Sequence, residues 1–136
     1  MTSKVTYTGN LRAISTHLAS GQDIITDAPT DNHGKGEAFS PTDLTATSLA
    51  ICMITVMGIY ANNSGINMTD TEAEVTKSMA SDPRRISKIE VRITFPAGID
   101  QKYRSRLEEI GRNCPVAKSL HPDIEQDIHF QYASDQ

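Results

Sequence analysis

From Leu49 to Tyr60 only Thr55 and Gly58 interrupt the apolar residues, and polar stretches flank the run on both sides. Ser40-Pro41-Thr42-Asp43 ahead of it is a compact helix start: Ser can cap, Pro suits the first helical position, and the Asp carboxylate falls where a free N–H needs an acceptor. The pattern predicts a helix from Pro41 to about Asn62, stopped at Gly65. Because the run is apolar on all sides, the helix should be buried on every side. It is shorter than the roughly 20 apolar residues of a membrane span and has a polar start, so a core helix is expected rather than a membrane segment.

Elsewhere the periodicity is that of half-buried strands. Ile89, Val91, Ile93 and Phe95 alternate with Glu90, Arg92 and Thr94; Ile124, Ile128, Phe130 and Tyr132 alternate with Glu125, Asp127, His129 and Gln131; and Glu72 to Met79 alternates weakly. Ala80 to Arg85 has hairpin-loop composition. Asp100 looks like a cap for a second helix whose apolar face is Tyr103, Leu107 and Ile110. Before the long helix, Val5 to Tyr7, Arg12 to His17 and Asp23 to Thr26 read as a meander of short strands, followed by a long loop from Asp27 to Phe39. The order is three strands, buried helix, hairpin, amphipathic helix, strand: an α+β arrangement with helices against antiparallel sheet. At 136 residues the chain fits a single domain, 1–136. One small domain has difficulty covering an all-round apolar helix, and a homodimer whose central helices meet would solve this, with Ala46, Thr47, Ala50 and Gly58 permitting close approach.

Charge narrows the function classes. Thirteen Lys and Arg against seventeen Asp and Glu give a net charge of −4, with no basic block, so no nucleic-acid footprint is indicated. The N-terminus lacks a positive segment followed by an apolar one, so neither a signal peptide nor a transit peptide is expected and the protein is placed in the cytoplasm. In a reducing compartment two cysteines seldom form a permanent bridge, leaving inert buried thiols or transient redox chemistry.

Those cysteines, Cys52 and Cys114, are the candidate chemistry. Cys114 precedes Pro115, so a helical turn opening there would put its thiol at an N-terminus that favours the thiolate. Cys52 lies about three turns into the apolar helix, where desolvation disfavours its anion. Local chemistry alone makes Cys114 the more acidic sulfur and Cys52 an inert core residue. His17, His33, His121 and His129 lack a metal-ligand spacing, and no phosphate loop or nucleophile elbow is present, so neither metal nor cofactor is expected. Asp43 reads first as a helix cap, and Arg12 as a solvated charge.

Taken together, Ala38-Phe39-Ser40-Pro41-Thr42-Asp43-Leu44, the helix reaching Cys52 eight residues later and the distant Cys114-Pro115-Val116 resemble the OsmC/Ohr family of thiol peroxidases. The resemblance spans nearly the whole chain. It implies an OsmC-like fold, antiparallel sheets wrapped around a long buried central helix in an intertwined homodimer, with sites at the subunit interface. It further implies that Cys52 is the peroxidatic cysteine and Cys114 the resolving one, supported by an arginine from an early strand, best matched by Arg12, and by a carboxylate just before the helix, matched by Asp43. The implied substrate is a small organic hydroperoxide and the implied partner a dithiol reductant. Met53, Met57 and Phe39 would line an apolar substrate pocket. A different class also fits the resemblance, a non-enzymatic stress protein that binds a small apolar ligand at the dimer interface.

Overall fold

Strand β5 (Arg85–Phe95) follows its alternation closely, with Ile89, Val91, Ile93 and Phe95 fully buried and the intervening polar residues partly exposed. In the computed structural model, which describes residues 1–134, β5 is the middle strand of a three-stranded sheet with β4 (Glu72–Ala80) and β6 (Glu125–Tyr132). β4 pairs with it antiparallel, as a hairpin must. β6 runs parallel to β5, from Lys88 opposite Glu125 to Phe95 opposite Tyr132, which corrects the expectation of a purely antiparallel sheet. The physical reason is the connection: α2 (Gln101–Arg112) and α3 (Pro115–Ser119) form a crossover that returns the chain to the starting end of β5.

The chain divides into two compact units, with the boundary between Thr45 and Ala46 inside helix α1 (Pro41–Asn63). In the second unit, α1 contributes Ala46, Leu49, Ala50, Met53, Met57 and Ala61 to the core beneath the sheet. Its opposite flank is uncovered: Ile51 is 57% and Ile59 58% exposed, and Thr55 between them is exposed as well. Burial on every side is therefore not met: one flank of the helix packs into the second unit's core, and Ile51, Thr55 and Ile59 face solvent. By length and composition α1 could also cross a membrane, but its buried flank is that of a core helix.

α2 starts where Asp100 accepts a hydrogen bond from the Lys102 N–H at 3.0 Å, the expected cap. Leu107 and Gly111 are its buried residues. Gly111 brings α2 close to α1: a Cβ there would lie 2.8 Å from the Met57 sulfur, so a larger residue would make the Met57 side chain shift. β6 holds the other side of α2. Tyr132 stacks on Phe95 and donates its hydroxyl to Glu108 at 2.8 Å, while the guanidinium groups of Arg104 and Arg112 sit over the rings of Tyr132 and Phe130.

The first unit is an antiparallel meander of β1 (Ser3–Gly9), β2 (Arg12–His17) and β3 (Asp23–Asp27). The loop from 28 to 39 contains a 3-10 turn over Thr30–Asn32, and Asp27 N–H bonds to Phe39 C=O across it at 3.0 Å. Gly34 has no alternative, since a Cβ would overlap the Ala28 carbonyl. At the end of the loop Ser40 and Asp43 form a reciprocal capping box: each side chain accepts from the other's N–H at 3.0 Å.

Candidate redox site

Both cysteines belong to the second unit and both are free thiols. Cys52 lies on α1 at the margin between the uncovered strip and the core, half-buried, one turn before Val56. Cys114 is delivered by the tight end of α2 and caps α3, with Pro115 at the first helical position as the sequence implied. It is 1% exposed and part of the core cluster against which Cys52 packs. The two thiols therefore share one packed cluster, and Cys52 is near enough to contribute to the state of the Cys114 thiol.

The lowered pKa expected for Cys114 does not hold. Its sulfur does accept from the Ala117 N–H at 3.4 Å, and the N–H groups of Ala117 and Val116 favour the thiolate. Burial outweighs them and, with the adjacent Cys52, raises the Cys114 pKa above the ordinary thiol value. Cys114 is thus a thiol near neutral pH. The short helix turn was legible in the sequence, whereas the desolvation came from α1 and the sheet around it.

A cavity of about 300 Å³ borders the pair on the Cys114 side. Val56, Ile110, Cys114 and Pro115 form its apolar walls, and Arg106 and Glu109, ion-paired at 3.1 Å, form its exposed rim. The pocket expected around Met53, Met57 and Phe39 is not formed in that way. Met53 and Met57 are fully buried core residues, and Phe39, in the first unit, is 53% exposed.

Arg12 and Asp43, the other two candidate residues, are in the first unit. Arg12 makes a bidentate ion pair with Asp27, its Nε and Nη2 donating to Oδ1 and Oδ2 at 2.7 and 2.9 Å. Asp27 is only 2% exposed and also accepts from the Glu37 N–H at 3.1 Å. The Arg12 hydrogen bonds hold the Asp27 carboxyl below the usual carboxylate range, and Asp27 reciprocally raises Arg12. Asp27 was missed as a site residue. Its signal was a charged residue closing a strand directly opposite Arg12, a register that only the folded meander reveals. Asp43 serves the capping box described above.

Glu90, Asp127 and His129 are the one group of metal-ligand type formed among the described residues, with ligand atoms all within 4.8 Å of one another. Sheet register brings them together, since Glu90 and Asp127 are cross-strand partners. Their charge is already compensated: Lys88 Nζ is 3.4 Å and His129 Nε2 2.9 Å from Asp127, and Arg92 is 3.6 Å from Glu90. An ion-pair network accounts for the group, and His129 and Lys88 hold the Asp127 pKa down.

Comparison with known proteins converges on one family. The model of the family described as OsmC-like protein matches residues 34–129. A crystal structure from Psychrobacter arcticus 273-4, of a protein assigned provisionally to osmotic stress induction and detoxification response, is 55% identical, covers 96% of this chain and 95% of its own, and superposes with a TM-score of 0.92. At the level of fold alone, an organic hydroperoxide resistance protein OsmC from Legionella pneumophila (20% identity, 98% of each chain, TM-score 0.67) and the organic hydroperoxide resistance protein OhrB of Bacillus subtilis (19% identity, 96% of this chain and 98% of that one, TM-score 0.66) are also similar. No curated protein matches the chain.

Proposed function

The chain belongs to the OsmC-like protein family, and on that premise we propose that it is a cytoplasmic, thiol-dependent peroxidase that reduces organic hydroperoxides. The observation that carries the reading is the adjacency of Cys52 and Cys114 at the edge of the second unit's core. A half-buried thiol beside a buried one supplies the parts of a two-cysteine cycle. The Cys52 thiolate attacks the terminal peroxide oxygen, the O–O bond breaks, the alcohol leaves with a proton, and Cys52 becomes a sulfenic acid. The Cys114 sulfur then attacks the Cys52 sulfur, its proton leaves with the hydroxyl as water, and a Cys52–Cys114 disulfide forms. A dithiol reopens it by exchange.

Arg12 is the proposed activating arginine, held rigid by Asp27, and Asp43 orders the start of the helix that carries Cys52. Assembly is proposed as a homodimer. The uncovered apolar strip Ile51, Thr55 and Ile59, together with exposed Val5, Tyr7 and Ile24 on the first sheet, is surface that a second copy would remove from water.

Thiol titration after one equivalent of cumene hydroperoxide tests the chemistry. Wild type should lose two thiols per chain, Cys52→Ser none, and Cys114→Ser one, with a dimedone-reactive sulfenic acid at Cys52. Equal, slow loss in wild type and Cys52→Ser defeats the peroxidase reading. Arg12→Lys should slow the oxidation at least ten-fold while leaving both thiols titratable in denaturant; an unchanged rate removes Arg12 from the mechanism.

A further inference from the structure

We infer that Gln126 is a positioning residue of the redox site: from β6 it fastens α3 in the geometry that brings a backbone N–H to the Cys114 sulfur. The inference rests on the two-cysteine reading and adds to it a residue on which the resolving step depends.

Gln126 is the polar exception in an apolar stripe. Along β6 every second residue faces the core, and Ile128, Phe130 and Tyr132 pack against it. Gln126 continues that face, opposite the fully buried Ile89, at a position where the periodicity calls for an aliphatic side chain. A partly buried amide needs a hydrogen-bond partner. It has one on α3: its Nε2 donates to the Ala117 carbonyl at 3.0 Å.

A helix of five residues cannot hold its shape by local hydrogen bonds alone, so α3 depends on ties from outside. Val116, Ala117 and Leu120 supply apolar contact with the core, but such contact sets no direction. The Gln126 bond is directional. It fixes the Ala117 backbone, whose N–H donates to the Cys114 sulfur at 3.4 Å. That donor matters when the sulfenic acid is resolved. Cys114 gives up its proton, its thiolate attacks the Cys52 sulfur, the S–S bond forms as the S–O bond breaks, and the hydroxide leaves with that proton as water. Burial opposes the Cys114 thiolate, and the N–H groups of Ala117 and Val116 favour it. They do so only while α3 keeps its shape.

Gln126→Met keeps the length of the side chain, completes the apolar stripe and removes the donor. In a Cys52→Ser background Cys114 is the sole thiol, and the midpoint of its ionisation is read from the Cβ resonance of labelled cysteine with no peroxide present. Gln126→Met should raise that midpoint by about half a pH unit or more. The Ala117 amide should lose hydrogen-exchange protection while the amides of residues 128–132 keep theirs. An unchanged midpoint overturns the inference, and so does an equal loss of protection along β6, which would make Gln126 merely structural. Should the Met variant not fold, Gln126→Asn, one methylene shorter, gives the same readout. In a second arm both cysteines are present. Half a pH unit lowers the thiolate about three-fold, partly offset by greater nucleophilicity, so after cumene hydroperoxide the dimedone-reactive sulfenic acid at Cys52 should live about twice as long in Gln126→Met as in wild type. An unchanged lifetime overturns the inference. If hydroperoxide forms no sulfenic acid in wild type, the peroxidase reading fails and the ionisation midpoint alone decides this one.

Discussion

The two units use the same strand pattern to different ends. In the second, the alternation of β5 places Ile89, Val91, Ile93 and Phe95 beneath α1 and α2, where all four are fully buried. In the first, β1 to β3 carry Val5, Tyr7, Ile24 and Ile25, of which the least exposed, Ile25, is still 45% accessible. Its cohesion comes from ladder hydrogen bonds and the part-buried Arg12–Asp27 pair. A three-stranded sheet becomes independently stable when one of its faces is covered. The difference teaches that β-alternation announces a face to be buried without saying what buries it: in one unit helices of the same chain do so, and in the other the cover proposed above is a second copy.

The largest effect that would sharpen this contrast is on the covered sheet. Phe95→Ala removes a fully buried ring stacked on Tyr132 and should cost about 3–5 kcal/mol in urea unfolding. A loss below about 1 kcal/mol would show the second unit to be no better packed than the first. Gly111→Val forces a side chain against Met57 and should cost about 1–3 kcal/mol, visible as a lowered Tm. Ser40→Ala deletes one half of the capping box and should cost about 1 kcal/mol by the same measurement. Val5→Ala should change stability by less than about 0.5 kcal/mol in dilute protein where the chain is monomeric. An effect that grows with protein concentration would identify Val5 as a subunit-interface residue.

The last expected effect is local and depends on acid. The folded Asp27 pKa lies below its unfolded value of about 4, so the pair's contribution is complete above that value and is lost as pH falls through the lower, folded one. Protection factors of the β2 and β3 amides, taken relative to the intrinsic exchange rate at each pH, should therefore fall on acidification in wild type, with a weaker pH dependence in Asp27→Asn. Equal dependence in the two proteins would remove the ion pair as the fastening of the first unit.

Much of the element order was legible because it depends on local rules. Ser40, Pro41 and Asp43 specify a helix start by their own hydrogen-bonding chemistry, Asp100 caps α2, and Pro115 opens α3. The direction of β6 was not legible, because a strand's alternation is the same read parallel or antiparallel, and only the crossover through α2 and α3 sets it. The site divides similarly. Cys52 and Cys114 stood out by their contexts, but Asp27 did not, since its significance lies in facing Arg12 across a strand pair.

By itself the sequence determined the family, the two sulfurs and the long apolar helix, since each rests on residue identity and near-neighbour spacing. Tertiary structure decided how those sulfurs differ. The turn that begins at Cys114 favours a thiolate, yet the surrounding α1 and sheet remove the water that would solvate it, and Cys114 stays protonated. It also decided that α1 is covered on one flank and bare on the other, because burial depends on what the rest of the chain brings alongside, which no local pattern encodes.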